Sequence, residues 1–130
     1  MASISNATLT ISHDHTKKTA RPIVKAKINF SQYEMNQMKD GLKFKLKCQL
    51  WGADSGLTGA DDFLFTYSPV KFYPDASPAV TEDAVFDVTL GEGVLDEDWG
   101  TDEIYGRLLL TNLYTLVQVK KNTNQVSHNF

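Results

Sequence analysis

The chain has 130 residues, 42% hydrophobic and 22% charged, with a net charge of −3. That composition supplies a core for one domain over residues 1–130 and excludes a disordered chain, while no apolar run approaches the ~18 residues needed to cross a bilayer. One cysteine, Cys48, excludes an intramolecular disulfide and fits a reducing compartment. The N-terminus has no basic start followed by an apolar stretch, so a cytoplasmic location is expected, or export without a classical signal peptide.

Taken in order, residues 6–12 alternate apolar Ala7, Leu9 and Ile11 with polar neighbours, which predicts a half-buried strand. His13, Asp14, His15, Lys17 and Lys18 then form a polar connection. In the second predicted strand, residues 22–30, Val24, Ala26, Ile28 and Phe30 face one side, and Lys25, Lys27 and Asn29 the other. Residues 31–38 are the one helical stretch, with Ser31 and Glu34 at capping-box spacing. Residues 42–50 carry the clearest period: Leu42, Phe44, Leu46, Cys48 and Leu50 against Lys43, Lys45, Lys47 and Gln49. Such alternation is that of an antiparallel sheet with one wet side.

A loop rich in glycine and aspartate follows, with Asp54, Asp61 and Asp62. Residues 63–73 read as a strand interrupted at Pro69, and residues 84–90, 104–110 and 113–120 as three more. Residues from about 122 onward read as a polar tail. The sum is an all-β protein, an antiparallel β-sandwich of about seven or eight strands with at most one short helix.

Charge is unevenly distributed along the chain. Between Gly52 and Glu103 lie thirteen acids and one base, Lys71; outside that block lie twelve bases and three acids. If the two sets also separate in space, the molecule is a dipole. The densest acidic stretch is 94–106, where Asp96, Glu97, Asp98, Asp102 and Glu103 surround Trp99. Carboxylates so close repel one another, at a cost that a cation, a basic partner or water must offset.

Enzyme signatures are absent from the sequence. There is no nucleophile elbow, phosphate loop or dinucleotide fingerprint, no residue stands out as catalytic, and an enzyme is not expected. Cys48 alternates with Leu46 and Leu50 and reads as a core filler. His13 and His15, two apart, can present both rings to one side, but the pair lacks the further ligands of a zinc site. His128 lies near the other terminus, and all three histidines read as surface residues.

The acidic loops are more informative. Calcium takes six to eight oxygen ligands, for which carboxylates and carbonyls on glycine-rich loops are suited. Asp54, Asp61 and Asp62 from one loop, with Asp96, Asp98 and Asp102 from another, are the candidate metal ligands, because loops gather at the ends of a sandwich. Asp54 to Phe63 and Asp96 to Gly106 resemble the acidic loops of the synaptotagmin-type calcium and phospholipid-binding domain. That resemblance implies a β-sandwich that binds calcium between two loops and meets a lipid surface peripherally.

Trp99 and Trp51 are the candidate ligand-binding aromatics, able to stack on a sugar or enter a headgroup region. Lys25, Lys27, Lys43, Lys45 and Lys47 share one sheet face if their strands are neighbours, and they are the candidate interaction face. Nucleic acid is not expected, given the acidic balance and the lack of interleaved aromatics. The sequence therefore predicts a non-enzymatic binding module, calcium-assisted, for a sugar, lipid headgroup or protein ligand. Its rival is a structural subunit that self-assembles into homo-oligomers, the acidic loops of one copy meeting the lysine face of the next.

Overall fold

The computed structural model describes residues 1–53, 61–96 and 102–130. Among these, nine strands form two antiparallel sheets, so the all-β sandwich expected from the alternation is what the chain adopts. The strands are β1 (Ser3–Asp14), β2 (Thr19–Asn29), β3 (Phe44–Gly52), β4 (Asp62–Thr66), β5 (Lys71–Tyr73), β6 (Thr81–Asp87), β7 (Leu90–Gly91), β8 (Asp102–Asn112) and β9 (Gln118–His128). One helix, α1 (Gln32–Lys39), lies between β2 and β3. No helix among the described residues is long and apolar enough to cross a membrane.

The first sheet runs β1-β2-β6, with the short β7 also on β2. The second runs β4-β3-β8-β9, with β5 also on β3. Period-two alternation explains both. Along β3, Phe44, Leu46, Cys48, Leu50 and Gly52 are buried while Lys45, Lys47, Gln49 and Trp51 are partly exposed. Pro22, Val24, Ala26 and Ile28 are likewise the buried row of β2. These rows meet Ile104, Leu108 and Leu110 of β8 in one core. Each fully buried Leu or Ile contributes about 1.5–3 kcal/mol. The isolated Cys48 thiol is buried among them, and that burial pushes its pKa upward.

The helix forms where the capping box predicts. The Ser31 hydroxyl accepts from Glu34 N, and Glu34 Oε1 accepts from Ser31 N at 2.8 Å. Glu34 Oε2 also accepts from Ala2 N at 3.0 Å, so one carboxylate ties the N-terminus to the helix. Pro69 falls between β4 and β5, as the interrupted strand implies.

Two expectations are corrected. Residues 113–117 are not strand: they form a turn in which Asn112 Oδ1 accepts from Tyr114 N and Thr115 N, with Leu116 at φ 62°. Their apolar side chains are exposed. The stretch read as a polar tail from about 122 is instead the end of β9, paired with β8 as far as Asp102 opposite His128. An edge strand needs few inward apolar residues, and Val119, Thr123 and Val126 suffice.

The basic strand β2 and the acidic strand β6 are neighbours. Lys27 Nζ lies 2.9 Å from Asp83, and the Arg21 guanidinium grips Asp87 through two hydrogen bonds, so opposite charges here are paired across strands. That pairing holds the Asp87 carboxyl below its ordinary pKa.

Replacing Leu46 by Ala is expected to cost about 2–5 kcal/mol in chemical denaturation, and replacing Lys45 by Ala less than about 0.5 kcal/mol. The reverse order would put the register of β3 off by one. Gly106 offers a second check, because a Cβ there would meet Val24 Cγ2 at 3.0 Å and Thr123 Cγ2 at 3.1 Å. Gly106→Ala should therefore cost about 1–3 kcal/mol by overpacking.

Candidate functional site

The chemistry-bearing residues gather at one end of the sandwich, opposite α1. At that end β3 finishes at Gly52, beside the first residues of β4 and β8: Gly52 is paired with Asp62 on one side and Ile104 on the other. Ala53 N donates to Glu103 O at 2.8 Å, extending the contact beyond the strand. The two acidic connections thus leave from adjacent strands. Asp61 and Asp62 lie at the root of the first, and Asp102 at the root of the second. Asp54, Asp98 and Trp99 lie outside the described residues. Asp96 follows a 3₁₀ turn, Glu92–Val94, and its backbone N donates to Glu92 O. Asp62 and Asp96 are exposed, while Asp102 is 2% exposed.

Trp51 sits on the outer face of β3, opposite Phe63 of β4 and Tyr105 of β8. The Arg107 guanidinium lies over its ring, 4.4 Å from the centroid, and Phe63 meets it edge-on at 5.7 Å. Arg107 Nη2 donates to the Tyr105 hydroxyl at 3.1 Å, and that hydroxyl donates to Asp61 Oδ2. A chain of contacts therefore runs from Trp51 through Arg107 and Tyr105 to the first acidic connection. One ring face of Trp51 is occupied by Arg107; Phe63 beside it is 52% exposed.

The lysines do not form one face. Lys25 and Lys27 belong to β2 in the first sheet, and Lys43, Lys45 and Lys47 precede or lie in β3 of the second. Both rows point away from the shared core, so they occupy opposite outer surfaces of the sandwich. Alternation showed that each row is wet; it carried no information on which strands adjoin.

The histidines are the larger surprise. His13 is the penultimate residue of β1, His15 begins the turn after it, and His128 ends β9, yet one ring nitrogen of each lies within 4.8 Å of the others. His13 Nδ1 and His128 Nε2 share a hydrogen bond of 2.9 Å. His13 Nε2 lies 2.7 Å from Glu92 Oε2, and the His13 side chain is only 3% exposed. Phe130 packs on both His13 and His128, with centroids 5.2 and 4.7 Å away. Nothing local in the sequence marks this meeting, because His13 and His128 are 115 positions apart. The available signal was the spacing of His13 and His15 with a third histidine in the last strand.

Comparison with protein-family models, curated proteins and solved structures finds no match to this chain.

Tyr105 allows a test of the site's electrostatics. Burial, then its hydrogen bond to Asp61, pushes its pKa up to about 12 from 10.0. The folded state thus keeps a proton that the unfolded chain releases, so stability is full below pH 10 and is lost towards pH 12. Tyr67 and Tyr73 shift in the same direction through burial. In urea denaturation at pH 8 and pH 11, Tyr105→Phe should show a smaller alkaline loss than the wild type. Equal losses would remove Tyr105 from the account.

Proposed function

We propose that this chain is a non-enzymatic binding module whose ligand end is the one from which the two acidic connections emerge. The observation that carries the reading is the strand order β4-β3-β8, with Gly52 flanked by Asp62 and Ile104. Three aspartates from either connection alone, at one oxygen each, fall short of the six to eight that calcium takes. Two connections leaving side by side supply more: Asp54, Asp61 and Asp62 from one, Asp96, Asp98 and Asp102 from the other, with carbonyls and water. The ligand is a sugar, lipid headgroup or protein, held beside the ion. Trp51, with Phe63 edge-on beside it and Arg107 over one ring face, forms an apolar and cationic surface next to the first connection, and the half-exposed Phe63 ring is suited to stacking.

Calorimetry with calcium chloride tests the reading. The wild type should take up calcium at millimolar concentration or below. Asp62→Asn and Asp98→Asn, one in each connection, should each weaken that uptake while leaving the calcium-free fold as stable or slightly more stable, since each relieves repulsion. A wild type that binds no calcium at millimolar concentrations removes calcium from the proposal. Affinity unchanged from the wild type in either variant would remove the two-connection geometry.

A further inference from the structure

We propose that His13, His15 and His128 form a binding site for a borderline first-row transition-metal ion such as zinc or nickel, with Glu92 as the group that orients His13. This site lies beside the acidic connections at the same end of the sandwich, Asp102 being paired with His128, but its donor set differs: imidazole nitrogen suits zinc, nickel and copper whereas carboxylate and carbonyl suit calcium.

The geometry supplies each part. Ligand nitrogens around a tetrahedral zinc, at 2.0–2.1 Å from the ion, stand about 3.3 Å apart. The cluster's nitrogens, within 4.8 Å of one another with one pair at 2.9 Å, bracket that spacing, so small ring rotations close the site. Glu92 fixes the tautomer of His13. Its carboxylate accepts from Nε2–H at 2.7 Å, which leaves Nδ1 with a lone pair facing His128. A carboxylate behind a ligating histidine is the usual outer-shell partner, orienting the ring and raising its basicity. The hydrogen bond between His13 Nδ1 and His128 Nε2 then holds one proton, donated by His128; on metal binding that ring exchanges to its Nδ1–H tautomer through solvent, and the ion takes the vacated place between the two nitrogens. His15 closes the third side from the turn, and the fourth position falls to water.

The fold holds these groups before any ion arrives. Leu9 N donates to Asn124 Oδ1 at 2.9 Å and Leu9 O accepts from Asn124 Nδ2 at 3.1 Å, which locks β1 beside β9. The separation of 115 positions is the same for Leu9 with Asn124 and for His13 with His128, so the two strands run in step. Asp14 Oδ1 accepts from Thr16 N and Lys17 N, shaping the turn that carries His15. Glu92 N donates to Lys18 O at 2.9 Å, and Gly91 pairs with Thr19, so Glu92 is anchored to that same turn.

The test uses the full chain with zinc chloride alone and nickel chloride alone as probes. The protein has three histidines, all in the cluster, so every imidazole resonance reports on the site. One equivalent of zinc should shift the imidazole signals of all three, and calorimetry should give one ion per chain. His15→Ala, an exposed position that spares the core, should weaken zinc binding at least about tenfold, and Glu92→Gln by about 10–100-fold. The proposal is overturned if the wild type takes up no zinc at about 100 µM free ion, or if fewer than three imidazoles respond. It is equally overturned if His15→Ala binds zinc as the wild type does. His15→Ala should leave calcium uptake unchanged and Asp62→Asn should leave zinc uptake unchanged, so loss of the calcium reading and loss of this one are separate outcomes.

Discussion

The inward row of β3 is the constraint on which the rest of the architecture depends. Strand β3 pairs with β8 on one side and with β4 and β5 on the other, so it sets the register of the whole second sheet. A slip of one residue would turn Phe44, Leu46, Cys48 and Leu50 to water and drive Lys45 and Lys47 inward. The cost of burying unpaired ammonium groups makes that alternative inaccessible. Because the register is so firmly held, the end of β3 is also held. Gly52 must finish beside Asp62 and Ile104, and the acidic connections must leave side by side.

A second constraint acts at the edges. Strands β1 and β9 are the open edges of their sheets, and exposed edges carry unpaired backbone groups that invite other chains. The Asn124 amide meets this need by donating to and accepting from the backbone of Leu9, as a neighbouring strand would. The two sheets are thereby joined along one side. His13 and His128 follow from that join, four residues further along each strand.

These two constraints explain which parts of the structure could be read in the sequence. The rows of β1, β2, β3 and β8 and the capped helix are local patterns, with periods of two or a spacing of three, and they were legible. The last strand was not, because the apolar residues of 113–120 read as a strand while most of β9 is polar and read as a tail. Turn chemistry at Asn112 outweighs apolar composition there, since its side chain satisfies two backbone donors that a strand would need to pair elsewhere. The shared lysine face failed for a different reason. Strand order is a property of the assembled sheets, and no period in β2 or β3 states which strand lies next to which. The same holds for the histidines, whose separation in the chain hides their proximity in space.

Charge shows the same lesson at longer range. The acidic block and the basic remainder are separate in sequence, which suggests a dipole, and the fold interleaves part of them. Acidic β6 lies on basic β2, with Asp83 against Lys27 and Asp87 against Arg21. Arg107 reaches the first acidic connection through Tyr105, and Lys17 and Lys18 occupy the turn beside His15. Opposite charges within a few ångströms cancel at distance, and salt screens what remains beyond about 8–10 Å. These paired charges are therefore a weak guide to what the molecule binds. Selection at this end of the sandwich falls instead to short-range chemistry: which donor atoms are present, how far apart they stand, and what holds them still. On that criterion the imidazole cluster is the better organised of the two candidate sites. Its members are fixed by β1, β9 and the turn that anchors Glu92, whereas the carboxylates begin where the strands end.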